Sequence, residues 1–172
     1  MSEPVPYGEG HINQTYAIMV TSAQGAKRYI LQKINTDTFK DPDGLMENIC
    51  GVTDFLREKA KQCGNDPARA TLHVVLTKAG KPYYRATDGS CWRIYDFVEN
   101  TVCLQQVQSA EDFYQSAVAF GNFQHQLAAY PAHTLHETIP HFHDTPKRFA
   151  DFQRAVAEDR MGRAAQVRRE IE

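Results

Sequence analysis

Two glycines separated by one residue, Gly8 and Gly10 in the stretch YGEGHINQTY (residues 7–16), are the groups in this sequence best suited to holding a phosphate. Glycine admits positive φ and close backbone approach, so a polar turn of this kind can wrap its N–H groups around anionic oxygens. The turn leads into the β-type run TYAIMV. A dinucleotide fingerprint would instead follow a strand and open a helix. A second group that could do chemistry is a set of five histidines, His125, His133, His136, His141 and His143. Imidazoles so concentrated could bind Zn²⁺, but H-x-x-H on a loop with no cysteine nearby is not a recognised donor set, and polar loop residues are the default reading. The cysteines Cys50, Cys63, Cys91 and Cys103 lie far apart with no C-x-x-C pair. That spacing argues against a zinc knuckle or a redox dithiol and for reduced, mostly buried thiols.

Such groups need elements to position them. TYAIMV (15–20) and RYILQKI (28–34) are β-rich and joined by SAQGAK, whose Gly25 suits a hairpin turn. From Gly44 onward Leu45, Ile49, Val52, Leu56 and Ala60 recur at three- and four-residue steps, which predicts an amphipathic helix running to about Cys63. LHVVLT (72–77), YYRAT (83–87) and CWRIYDFV (91–98) read as strands separated by the turns AGKP and DGS. After Glu99 the character changes. Ser109 and Asp112 form a capping box ahead of Phe113, Ala117, Phe120 and Leu127, predicting a helix to about Tyr130. Residues 131–146 are rich in Pro and His and read as irregular. Thr145 is expected to cap a further helix, with Pro146 at its first position and burial through Phe149, Phe152 and Val156. GRAAQVRREIE is helix-forming to its last residue with no stop signal, so the chain reads as cut short. The expected organisation is a lobe over 1–99, a linker over 100–108 and an incomplete helical lobe over 109–172.

At 172 residues, with 42% hydrophobic and 23% charged side chains, the chain can build a packed core. A net charge of -2 gives no clustered basic face, so nucleic acid is not an expected partner. The amino terminus has no apolar signal region and no run is long enough to span a bilayer, so a cytoplasmic protein without membrane contact is expected.

The order of these features carries more than any one of them. YGEGHINQTY, RYILQKINTDTF, LMENICGVTDFL, WRIYDFVEN and IPHFHDTPKRF together resemble the amino-terminal part of the protein-kinase-like fold shared by aminoglycoside phosphotransferases and choline kinases, most closely bacterial N-acetylhexosamine 1-kinase-like proteins. The resemblance runs over nearly the whole chain. It implies an α+β lobe with a five-stranded antiparallel sheet and one helix, followed by the first helices of a truncated α-helical lobe. It further implies that Gly8, Gly10, His11, Ile12 and Asn13 cover the phosphates of ATP, and that a cation on the third strand pairs with Glu47. The family pattern puts Gln32 at the cation's place, whereas charge favours Lys33. Strand alternation sends these two to opposite faces, so only one can point into the cleft. The Asp96 carbonyl and Val98 N–H would hold the adenine edge, with Ile30 and Phe97 as apolar surroundings, and His143 and Asp144 would help shape a sugar pocket.

The activity so implied is ATP- and Mg²⁺-dependent transfer of the γ-phosphoryl group to a hydroxyl of a sugar, N-acetylhexosamine-like, or of a similar small molecule. Such transfer needs an aspartate to position the acceptor, plus an asparagine and a second aspartate for Mg²⁺. Asp144 in HFHDTP lacks the asparagine about five residues on that would complete a catalytic loop. These groups are therefore expected downstream, and this chain taken alone is expected to be inactive. The alternative is a noncatalytic nucleotide- or protein-binding module derived from the same fold, in which exposed apolar surface would favour a dimer.

Overall fold

The computed structural model describes residues 2–172 and contains an antiparallel sheet of five strands. β1 (Val5–Pro6) pairs with β2 (Gln14–Ser22), which pairs with β3 (Gly25–Ile34) in continuous register from Gln14↔Lys33 to Ser22↔Gly25. Only Ala23 and Gln24 connect β2 to β3. That two-residue loop closes because Gly25 takes φ of +117°, a conformation that side chains disfavour. The chain then forms α1 (Pro42–Gln62), a short α2 (Pro67–Ala70), β4 (Tyr84–Arg85) and β5 (Cys91–Asp96). The strand order is β1-β2-β3-β5-β4.

One face of the sheet is buried under α1. Along β5 the residues Cys91, Arg93 and Tyr95 are buried, while Trp92, Ile94 and Asp96 on the other face are half-buried. Helix α1 begins where Asp41 accepts the N–H of Gly44 at 3.0 Å, with Pro42 in its first turn and Lys59 and Lys61 in its last. These are stabilising choices at both ends of the helix dipole. Leu45 and Met46 then meet Ile34, Val74, Cys91 and Tyr95 to form the core. Met46 is fully buried, so its truncation to alanine should cost about 2–5 kcal/mol.

The outer edge of β5 departs from the sequence expectation. LHVVLT does not form a regular strand: it contributes one bridge, Val74↔Tyr95, flanked by Val75 N–H to the Ile94 carbonyl at 2.9 Å and Asp96 N–H to the His73 carbonyl at 3.1 Å. From YYRAT only Tyr84 and Arg85 pair, opposite Trp92 and Cys91. The reason is geometric, since β5 is short and its free edge is divided between these two segments. The turns AGKP and DGS do form, with Gly80 and Gly89 at φ of +73° and +84°. Helix α2, capped by Asp66 onto Ala68 N–H, was not expected.

Further along, α3 (Ala110–Leu127) starts as predicted, with Ser109 accepting the N–H of Asp112 at 3.1 Å. It stops at Leu127, short of Tyr130, because Pro131 disfavours helical backbone before it. The chain divides into two compact units, Met1–Thr138 and Ile139–Glu172. The second unit contains α4 (Thr145–Glu158) and α5 (Arg168–Ile171). The cap of α4 is Asp144, whose Oδ1 accepts the N–H of Lys147 at 3.0 Å, not Thr145. Asp at the N-cap is at least as favourable as Thr, and the helix takes one more residue. The expected burial of Phe149 and Phe152 is also absent: they are 58% and 44% exposed, because a unit this small has no layer to cover them. Among the described residues no helix is long and apolar enough to cross a membrane.

Candidate functional site

The glycine turn is an open loop with a closed base. The Tyr7 N–H donates to the Thr15 carbonyl at 2.9 Å, so residues 8–14 leave and rejoin the sheet at one point. Gly8 sits at φ of +78°, and a Cβ on either Gly8 or Gly10 would meet nothing within 4 Å. His11 and Ile12 are exposed at the tip. Asn13 anchors the returning limb, since its Oδ1 accepts the N–H of Asn35 just past β3 at 2.9 Å. Ile12 and Gln14 share a polar recess of about 300 Å³ with Lys33, Asn35, Thr36 and Asp37.

Strand register distributes the next residues between two faces. Gln14, Lys33 and Trp92 form one cross-strand row, and Thr15, Gln32 and Arg93 form the adjacent one. Alternation sends these rows to opposite sides of the sheet. Lys33 extends toward the ring of Trp92, with Nζ 5.9 Å from its centroid. Gln32 lies on the α1 side. Its Nε2 donates to Thr15 Oγ1 at 2.9 Å, while its Oε1 accepts both Arg93 Nε at 2.9 Å and Arg93 Nη2 at 2.7 Å. Arg93 Nη1 reaches Met46 Sδ on α1 at 3.6 Å, and the guanidinium lies 5.1 Å from the centre of the Tyr95 ring.

Arg93 is only 8% exposed, and among the described residues no carboxylate pairs with it. Burial pulls its pKa down from the usual arginine value, with Tyr95 opposing. An arginine nevertheless remains protonated. A buried cation with only neutral partners is destabilising by several kcal/mol unless something else compensates, typically an anion.

The Lys33–Glu47 ion pair implied by the resemblance does not form. Lys33 is on the far face, and Glu47 follows Met46 on α1, so a helical turn of about 100° per residue carries it away from the sheet. Its carboxylate meets His136 Nε2 at 2.7 Å instead. Asn48 completes that contact, donating to the His136 carbonyl and accepting its N–H, both at 2.8 Å.

The stretch after β5 is tied down on several sides. Asp96 directs its carboxylate to Lys27 at 2.7 Å and His73 Nδ1 at 2.8 Å. Partial burial alone would raise its pKa, but the hydrogen bonds from Lys27 and His73 outweigh burial and hold it below the usual carboxylate value. Phe97 is half-buried between Tyr7, edge to face at 5.3 Å, and the Arg28 guanidinium at 4.1 Å. Arg28 also pairs with Glu99, which fixes the chain just beyond. Among the described residues the Val98 N–H has no backbone acceptor, and its carbonyl accepts from Thr101 Oγ1 at 3.2 Å. Ile30 packs against the core on the α1 face.

His143 and Asp144 belong to the second unit. Asp144 is engaged as the α4 cap and lies 3.4 Å from His141 Nδ1; His143 is exposed with its ring 4.9 Å from that of Phe142. Among the described residues no group of three or more His, Cys, Asp or Glu side chains could hold a metal ion.

Gln32 and Ile30 thus lie on the face of the sheet that α1 covers, Lys33 shares the recess of the loop residues Ile12 and Gln14 on the other face, and Glu47 joins neither group. Sequence reasoning missed Thr15 and Arg93. A signal for Arg93 was present, because alternation along CWRIYD places it between Cys91 and Tyr95 on the apolar side. No family model matches the chain.

Proposed function

We propose that residues 1–99 form the nucleotide-binding lobe of an ATP-dependent small-molecule kinase of the protein-kinase-like fold. The observation that carries this reading is the loop closed on Thr15, the residue from which a polar row of Thr15, Gln32 and Arg93 runs under α1 to a buried cation. Gly8, Gly10, His11, Ile12 and Asn13 would cover the phosphates, and Gln32 would face them in the position where related lobes carry a lysine. The Val98 N–H and the Asp96 carbonyl would take the adenine edge, with Ile30 and Phe97 beside it. The acceptor would be a sugar or similar hydroxyl compound, with His143 and Asp144 contributing to its pocket. The group bound here would supply the transferable γ-phosphoryl, with Mg²⁺ neutralising its charge. The residues that hold Mg²⁺ and position the acceptor would lie outside residues 1–172, so this chain alone would bind without turning over.

Titration calorimetry of the chain with ATP, with and without Mg²⁺, tests the reading. Saturable binding that adenosine competes away is expected. No heat and no competition would leave the loop as an ordinary glycine turn and overturn the proposal. A second reading, a noncatalytic nucleotide-binding module, is favoured by the unformed Lys33–Glu47 pair. Both readings bind ATP, and γ-phosphoryl transfer to an N-acetylhexosamine by the complete gene product separates them.

A further inference from the structure

Resting on the nucleotide reading above, we propose that Arg93 supplies the cation for the nucleotide's polyphosphate from strand β5, and that Gln32 is the positioning residue that couples it to the glycine loop. In the lobes that this one resembles, the cation stands on the third strand. Here that strand carries a neutral amide at the inward position, and the inward charge comes from the neighbouring strand in register with it.

The coupling is a continuous chain of contacts. The Tyr7 N–H binds the Thr15 carbonyl, closing the loop. The Thr15 hydroxyl accepts from Gln32, and Gln32 accepts twice from Arg93. Arg93 ends on Met46 of α1. A guanidinium has five N–H donors, and three of them are used here, all on neutral acceptors. Two donors and a full positive charge are left over inside the protein. A core position that served packing alone would favour an apolar side chain, since burying a charge without a counterion is unfavourable. An anion brought under the loop resolves that imbalance. A polyphosphate fits because its oxygens accept several N–H bonds at once and its charge counters the guanidinium. The Gln32 amide fixes the guanidinium plane at the Nε–Nη2 edge, Met46 Sδ meets Nη1, and the second hydrogen on each Nη is what a ligand would take.

Two variants and two ligands test this. Arg93→Met keeps an unbranched, flexible side chain beside Met46 and removes the charge. Gln32→Glu keeps the shape of the amide and gives Arg93 an internal counterion. ATP and adenosine affinities of each full-length variant would be measured by calorimetry at low and moderate salt. For Arg93→Met the expected result is ATP affinity at least tenfold weaker with adenosine affinity unchanged within about twofold, so the ratio of the two falls. For Gln32→Glu the expected result is also a lower ratio, together with a raised melting temperature, because the buried charge is now paired. Salt dependence of ATP binding should flatten in both. Affinities for ATP and adenosine that move together, or do not move, would reduce Arg93 to a structural residue and overturn the proposal. A wild-type chain that binds adenosine and ATP equally would also overturn it while leaving the adenine reading intact. A wild-type chain that binds neither would remove the nucleotide reading itself, and this inference with it.

Discussion

Tyr95 lies on the same buried face of β5 as Arg93, and its hydroxyl carries a testable charge effect. Burial pushes its pKa up to about 12, against a smaller opposing influence from Arg93. In an unfolded chain the same phenol titrates near ~10. A folded pKa above the unfolded one favours the fold fully below about pH 10, and that contribution is lost as pH rises through about 12. The difference of about two units corresponds to roughly 2–3 kcal/mol. Urea unfolding between pH 9 and 12, as rough bounds of that window, should therefore show stability falling more steeply in the wild type than in Tyr95→Phe. Equal slopes would mean that Tyr95 is wetter than its burial implies. At this scale the sequence was legible for charge and type but not for pairing. The choice between Gln32 and Lys33 could be posed from alternation, yet only the register with β5 shows that Gln32 is spoken for by Arg93. Glu47 illustrates the same limit, because its partner His136 lies far along the chain and no local pattern announces it.

Helix α1 is the element on which both sides of the first unit converge. Of its buried residues Leu45, Met46, Thr53, Leu56 and Ala60, the first two pack on the sheet against Ile34, Cys91 and Tyr95. A second stripe holds the last turn of α3 and the segment that follows it: Gly44 lies against His136, Asn48 clamps its backbone, Gly51 faces Tyr130, and Lys59 Nζ donates to the Gln126 carbonyl at 2.8 Å. Gly51 reads in the sequence as a mere loss of helix propensity, but a Cβ there would lie 2.5 Å from the Tyr130 hydroxyl. That oxygen belongs to a ring packed edge to face on Phe55 at 5.4 Å, so it does not yield freely. Gly51→Ala should consequently lower the melting temperature in the wild type, although alanine is the better helix former by about 1 kcal/mol. In a Tyr130→Phe background the clash disappears, the ring carbon at 3.7 Å being an ordinary contact, and the same change should raise it. Thermal denaturation of the four proteins checks the reversal of sign, and an equal effect in both backgrounds would refute the account. Elements with local causes, such as the β2–β3 hairpin and the Ser109 cap of α3, were legible from sequence. LHVVLT was not, because how much of it pairs depends on how Tyr84 and Arg85 share the β5 edge.

For the whole molecule, the distribution of burial decides which parts can fold by themselves. Every core residue lies between Ile18 and Tyr95, in the unit Met1–Thr138. The unit Ile139–Glu172 has no buried residue in α4 or α5, and Phe149 stacks on Phe152 at 6.4 Å while both remain exposed. Its order comes from local devices: the Asp144 cap, the Lys147–Asp151 pair at 2.6 Å along the helix, and the left-handed Asp159 that ends it. Each such device is worth only about 0.3–2 kcal/mol, and helices of this length are marginal in water without an apolar face to bury. A segment below roughly 40 residues also lacks the volume for a core of its own. A synthetic peptide of residues 139–172 should accordingly show weak helicity by circular dichroism and lose it gradually on heating, whereas a fragment of residues 1–138 should melt in one sharp transition with near-ultraviolet signal from its packed aromatic rings. A sharp melting transition in the peptide would show that Phe149 and Phe152 find a core within their own unit, against the exposure seen for them. A gradual one in the larger fragment would mean that the sheet and α1 do not suffice to hold the row from Thr15 to Arg93 in place, and the candidate site would then have to be sought in the intact chain.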